Sequence, residues 1–215
     1  MLKLRSAAAL LAFAGFAATL PAASLPEAAP EFAWAISAGG KGHDKTRCLA
    51  VDTRGNVFLA GEFVGTSQFG GHTLTSAGDM DFFIAKCSPD GKFLWARSAG
   101  GSGIDRGYGV ATDSAGNCYV TGHYQSTNAT FSGVAIHNAG DYDIFVAKYD
   151  PDGKLLWVRA AGSKGYDYGH GIAVDGRGGV FVTGALVGDG SFGELKIVAA
   201  GGAHLFCARY DTSGK

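Results

Sequence analysis

The chain has 215 residues, with 18 Lys and Arg against 19 Asp and Glu and a formal net charge of −1. Glycine supplies 35 of them, about 16% where ~7% is usual, while proline numbers only 5 and charged residues make up 17%. An apolar fraction of 47% argues against disorder. The glycines have no three-residue period, which excludes collagen, and glycine's cost of about 1 kcal/mol per helical site opposes a helical bundle. An all-β fold rich in turns remains.

The N-terminus is a different kind of sequence. Lys3 and Arg5 precede an apolar run from Ala7 to Leu20, followed by Pro21, Ala22, Ala23 and Ser24. This is the tripartite pattern of a secretory signal peptide, and its ~14 apolar residues fall short of the ~20 that span a bilayer. The pattern predicts a signal peptide over 1–24, a short linker over 25–31 and a secreted, periplasmic or cell-surface protein, with no transmembrane anchor in this segment. Without Lys3 and Arg5, 16 basic and 19 acidic residues remain, a net charge of −3. There is no basic tract to neutralise phosphates, so no nucleic-acid partner is expected. Cys48, Cys87, Cys118 and Cys207 allow three full pairings after export, and no C-x-x-C pair suggests zinc.

From residue 32 onward the chain repeats. Trp34, Trp95 and Trp157 are spaced by 61 and 62 residues. The same register aligns Asp44, Asp105 and Asp167; Asp52, Asp113 and Asp175; Gly61, Gly122 and Gly184; and Phe69, Phe131 and Phe192. Gly91, Gly153 and Gly214 close the unit. The second unit shows four strand-like runs, A to D, at residues 110–113, 118–121, 144–148 and 155–159, with room for a small extra hairpin over Ala129–Ile136. Strands A and B are joined by five-residue turns that begin at Asp52, Asp113 and Asp175. Their fourth residues, Gly55, Gly116 and Gly178, can accept positive φ. Pro89-Asp90-Gly91-Lys92 and Pro151-Asp152-Gly153-Lys154 join C to D as tight hairpins. Four antiparallel strands with these links describe one blade of a β-propeller.

The expected architecture is therefore a partial β-propeller over 32–215, with repeats at about 34–94, 95–156 and 157–215. These make about three four-stranded blades of an incomplete ring, below the four to eight that close one. The tryptophan column is expected to pack between blades, and the Asp52 and glycine columns to shape turns. Residues 32–36 read as a strand D with no A, B or C before it, and residues 211–215 read as a C–D turn with no D after it. Either this is a fragment whose remaining blades belong to a longer chain, or a second copy completes the ring.

Residues 110–122, Val-Ala-Thr-Asp-Ser-Ala-Gly-Asn-Cys-Tyr-Val-Thr-Gly, resemble the SBBP repeat of bacterial seven-bladed propellers. So do Gly140-Asp141-Tyr142-Asp143-Ile144-Phe145-Val146-Ala147-Lys148-Tyr149-Asp150 and Gly153-Lys154-Leu155-Leu156-Trp157. The third copy departs from the pattern at Gly202-Ala203-His204. The resemblance implies an exported bacterial propeller and says nothing of chemistry.

The long D–A and B–C links should share one side of the disc, and that loop-rich face is the expected ligand face. Asp79 with Asp81 and Asp141 with Asp143 are weak calcium candidates; the other reading is that they cap turns entering strand C. The six histidines fall in different columns, so no repeated metal site is expected. Cys118 and Cys207 stand where sister repeats carry valine or isoleucine and should be buried. The many Gly-x-Gly pieces read as repeat turns. No nucleophile elbow or phosphate loop stands out, and neither catalytic residues nor a cofactor are expected. These features favour a non-enzymatic binding scaffold for an unidentified protein or glycan. The alternative is part of a secreted polysaccharide hydrolase or lyase whose catalytic residues lie outside this segment. Non-repeated carboxylates or histidines clustered at one end of the channel would favour the enzyme, and merely repeated residues the scaffold.

Overall fold

Local hydrogen bonds fix the turns first. In the computed structural model, which describes residues 32–199 and 201–215, the Asp52 carboxylate accepts the N–H groups of Arg54 and Asn56, each at 2.9 Å. Asp113 and Asp175 repeat the arrangement with Ala115 and Asn117 and with Arg177 and Gly179. Gly55, Gly116 and Gly178 take φ of +79°, +85° and +84° and close each turn on the aspartate carbonyl. Glycine adopts that conformation at little cost because it has no Cβ. The proposed signal peptide and linker lie outside the described residues.

All strands of the described residues lie in the compact unit from Trp34 to Lys215. β1 (Gly39–Gly40) ends the run that begins at Trp34. The first blade follows: β2 (Lys45–Val51), β3 (Val57–Phe63), a hairpin of β4 (Thr66–Phe69) and β5 (His72–Thr75), then β6 (Asp81–Cys87) and β7 (Phe93–Gly100). The second is β8 (Asp105–Thr112), β9 (Cys118–Tyr124), a hairpin of β10 (Thr130–Phe131) and β11 (Val134–Ala135), β12 (Asp143–Tyr149) and β13 (Leu155–Gly162). The third is β14 (Tyr168–Val174), β15 (Val180–Val187), a hairpin of β16 (Gly190–Phe192) and β17 (Leu195–Ile197), and β18 (Ala203–Tyr210). No helix occurs among the described residues. Each blade is an antiparallel meander in chain order A-B-C-D, the third lacking D among the described residues, and the ring is not closed.

The B–C links differ from the loops expected of them. All three carry a hairpin, not only the second, and each pairs with the preceding blade. β4 joins β1, β10 joins β7 and β16 joins β13, through Gly39↔Gln68, Phe131↔Ala99 and Ala161↔Phe192. Two of the blade sheets therefore have six strands. The end of strand D carries backbone groups that strand C leaves unpaired, and the hairpin satisfies them. Phe69, Phe131 and Phe192, one on each hairpin, are buried by this docking.

A second device locks neighbouring blades. Trp95 Nε1 donates to the Pro151 carbonyl of the next C–D turn at 3.0 Å, and its ring lies on Gly153 so closely that a Cβ there would come within 2.7 Å of it. Trp34 meets the Pro89 carbonyl and Gly91 in the same way, and Trp157 meets Thr212 and Gly214. Arg97 adds a 3.0 Å bond to the Gly153 carbonyl and Lys86 a 3.1 Å bond to that of Pro151. Phe58, Phe82, Ile84, Val120 and Phe145 fill the seam between the first and second blades.

All four cysteines are free. Cys118 is buried between blades, but Cys207, expected to be buried as well, is exposed. It lies on the outer face of the third blade beside Ile172 and Phe181, where no further blade packs among the described residues. Truncating Trp95, 5% exposed, should cost about 3–5 kcal/mol. Denaturant unfolding of Trp95→Ala measures this, and an unchanged midpoint would contradict the seam.

Candidate functional site

The repeated aspartates turn out to brace loops. Asp105 is buried and accepts the Gly101 N–H at 2.9 Å, the Ser126 hydroxyl at 2.6 Å and the Gln125 N–H at 3.1 Å. It thus ties a D–A link to a B–C link. Asp44 holds Gly40 and Ser67, and Asp167 holds Ser163 and Val187.

The calcium candidates divide. Asp79 and Asp141 are exposed, whereas Asp81 and Asp143 are buried. Asp81 accepts the Ala77 N–H at 2.9 Å and Asp143 the Ala139 N–H at 2.5 Å, while Oδ1 of each has no partner among the described residues. A Cβ on Gly100 would lie 2.7 Å from Asp81 Oδ1 and 2.6 Å from Asp105 Oδ2. Gly162 stands in the same way between Asp143 and Asp167. Glycine at these two positions leaves the carboxylates room that a side chain would take. Among the described residues, no three His, Cys, Asp or Glu are placed to hold a metal. Burial raises the carboxyls of Asp81 and Asp143 to about 6, against the opposing N–H bonds, and the neighbouring Asp105 and Asp167 add to the rise.

A different group of residues departs from the repeat. The A–B pairing breaks register once per blade, between Thr46 and Cys48, Gly107 and Gly109, and Gly169 and Gly171. The bulged residues are Arg47, Tyr108 and His170. A bulge leaves one residue out of the ladder and re-aims its side chain. The three A strands lie side by side, so the bulges form one row across the blades. The Arg47 guanidinium stands 4.7 Å over the Tyr108 ring, and Tyr108 lies 5.5 Å from His170. His123 sits at the centre, 5.2 Å from Tyr108, 4.7 Å from Tyr142 and 5.0 Å from Tyr168 between ring centroids. Tyr142 bridges to Tyr166 through the backbone and lies 5.3 Å from its ring. Arg106 stands opposite His123 in register.

The row's electrostatics are uneven. Glu62 and Arg47 form a two-bond ion pair at 2.5 and 2.6 Å. His123 is 1% exposed, and neither ring nitrogen has a partner among the described residues. Burial, reinforced by Arg106, Arg47 and His170, lowers it to about 3 and holds it neutral. Tyr166, at 49%, and His170 face solvent. The row lies near the D–A links, on the loop-rich side.

Column-by-column reading misses this site. His123 aligns with Glu62 and Ala185, and His170 aligns with Arg47 and Tyr108, so the two histidines share no column. They meet because strand A of one blade packs against strand B of its neighbour. The one local signal was Gly-x-Gly. Gly107-Tyr108-Gly109 and Gly169-His170-Gly171 are bulges inside strands, not the turns expected of them.

Comparison with known proteins agrees with this architecture. Residues 94–128 and 156–185 match the SBBP family, a beta-propeller repeat. An uncharacterized WD repeat-containing protein of Acanthamoeba polyphaga mimivirus is 25% identical over 154 residues, which cover 64% of this chain and 11% of that protein. The chain thus spans about a tenth of that relative's length. The SBBP matches contain the bulges at Tyr108 and His170 together with His123.

The buried carboxyls give the fold a pH signature. A free aspartate titrates near ~3.9, so folding favours the protonated form of Asp81 and Asp143. Their contribution to stability rises as pH falls through about 6 and is complete below ~4. His123 acts in the opposite direction, because the unfolded chain takes up its proton below ~6.5. The comparison of wild type with Asp81→Asn isolates the carboxyl. Thermal melts from pH 7 to pH 4 should show the wild type gaining on the variant as pH falls, and parallel curves would contradict the assignment.

Proposed function

We propose that this chain is part of an exported, non-enzymatic propeller that binds a protein or glycan at the loop-rich end of its inner strands. One observation carries the reading: the bulge recurs in every blade while its side chain changes from Arg47 to Tyr108 to His170. The repeat supplies a fixed frame, and the varied positions on it are free to serve recognition. Arginine and tyrosine dominate binding hot spots because they offer large, pre-organised contact surfaces. A relative named for WD repeats is consistent with a binding module, and the signal-like N-terminus supports export. In this reading the remaining blades of a longer chain, or a second copy, complete the ring.

Non-repeated histidines at one end of the inner strands give the enzyme reading a foothold. The local chemistry weighs against it. His123 is too weak a base at about 3, and Glu62 is held by Arg47. Among the described residues of the row no nucleophile is hydrogen-bonded to a base, so catalytic groups would have to lie outside the row.

Binding of the fluorescently labelled chain to cells of its source tests the proposal. Tyr166→Ala combined with His170→Ala changes exposed side chains only, so it should melt with the wild type yet bind about tenfold more weakly or worse. Equal binding by the variant would overturn the assignment of the row. Protein recovered outside the cytoplasm should begin near Ala23 or Ser24, and an intact Met1 would contradict export.

A further inference from the structure

The bulge row concentrates hydrogen-bond donors that the fold itself does not use. The hydroxyls of Tyr108, Tyr142, Tyr166 and Tyr168 make no hydrogen bond to a described residue, in contrast to Tyr119 and Tyr124, which do. His123 is buried among these rings with both nitrogens unpartnered. Among the described residues the guanidinium of Arg106 reaches only the Met80 sulfur, at 3.3 Å through Nε, and no carboxylate; the ion pair found there joins Arg47 to Glu62. Arg106 and His123 are direct cross-strand partners, so the free charge and the unused donors share one surface. Unused donors at a binding surface fit a ligand rich in acceptors, and they penalise one that leaves them unpaired.

The proportions of this surface select among such ligands. It offers several aromatic faces and several neutral donors, but a single guanidinium free of a carboxylate within the cluster of rings. A polyanionic partner, nucleic acid or an acidic peptide tract, needs a cation for each of several charges. A sugar unit that carries one carboxylate needs one cation, neutral donors for its hydroxyls and an aromatic ring beneath its C–H face. We propose that the row binds an acidic glycan of the uronate type. Arg106 takes a carboxylate in the paired geometry guanidinium favours, Tyr166 supplies the exposed ring for the sugar face, and the remaining tyrosine hydroxyls and His170 bind sugar hydroxyls. This assignment rests on the reading of the row as a binding surface and names the chemistry of its ligand.

Isothermal titration of the full chain tests it with three probes: aldotetraouronic acid, which carries one glucuronate on xylotriose, neutral xylotetraose and an octaglutamate peptide. Aldotetraouronic acid is expected to bind about tenfold or more tightly than xylotetraose, the carboxylate supplying one charge-assisted contact. Arg106→Gln should erase that difference and Arg106→Lys should restore part of it, with both variants melting as the wild type does. Equal affinity for the acidic and neutral sugars would overturn the role of Arg106. Preference for octaglutamate, lost in Tyr166→Ala with His170→Ala, would leave the row a binding surface and overturn the glycan assignment. Binding to cells without binding to any of the three probes would overturn the glycan assignment and leave the scaffold reading standing.

Discussion

The contact between a D-strand tryptophan and the C–D turn of the following blade is the constraint on which the rest of the structure depends. It combines an indole donating to a turn carbonyl with a ring face laid on a glycine that has no room for a Cβ. A propeller blade has two apolar faces and cannot bury both alone. The seam joins faces that would otherwise remain in water, where burial of each large side chain contributes on the order of 1.5–3 kcal/mol. The abundance of glycine follows from it. Gly91, Gly153 and Gly214 are needed both for a positive φ, at +75°, +77° and +80°, and for the close approach of the ring.

The hairpins stitch the blades in the opposite direction. Each tryptophan reaches forward to the next turn, and each B–C hairpin reaches back to the preceding D strand. Neighbouring blades are thereby joined at both ends of the same strand. The braces at Asp44, Asp105 and Asp167 then fix the D–A links against the B–C links on the loop-rich side. A frame held at so many repeated points keeps the backbone of strand A independent of which side chain stands at its bulge. That is why Arg47, Tyr108 and His170 can differ while the backbone around them does not.

The fold was legible in the sequence because its causes are periodic. Tryptophan, the turn aspartates and the turn glycines recur at one spacing, and each does the same physical task in every copy. The hairpins were harder to see. Only the second was read, over Ala129–Ile136; β4, β5, β16 and β17 have three or four residues each, too short for a pattern of alternation, and their hairpins dock on the D strand of the preceding blade. The burial expected of Cys207 failed for a related reason: its column predicts burial only where another blade covers it. The carboxylate pairs Asp79 with Asp81 and Asp141 with Asp143 looked alike on paper, yet the chain sends one member to solvent and the other inward beside a glycine. The bulge row was hidden most deeply. Alignment of repeats treats differences between copies as noise, whereas here the differing positions are neighbours in space.

A double-mutant cycle on Trp95 and Gly153 tests the central claim most directly. In the wild-type background, Gly153→Ala places a Cβ against the indole and forces an L residue to positive φ. In the Trp95→Ala background only the backbone cost of about 1–2 kcal/mol should remain. The account predicts that Gly153→Ala is clearly less destabilising once the indole is gone. An equal cost in both backgrounds would show that the tryptophan and the turn act independently, and would contradict the seam as the organising contact.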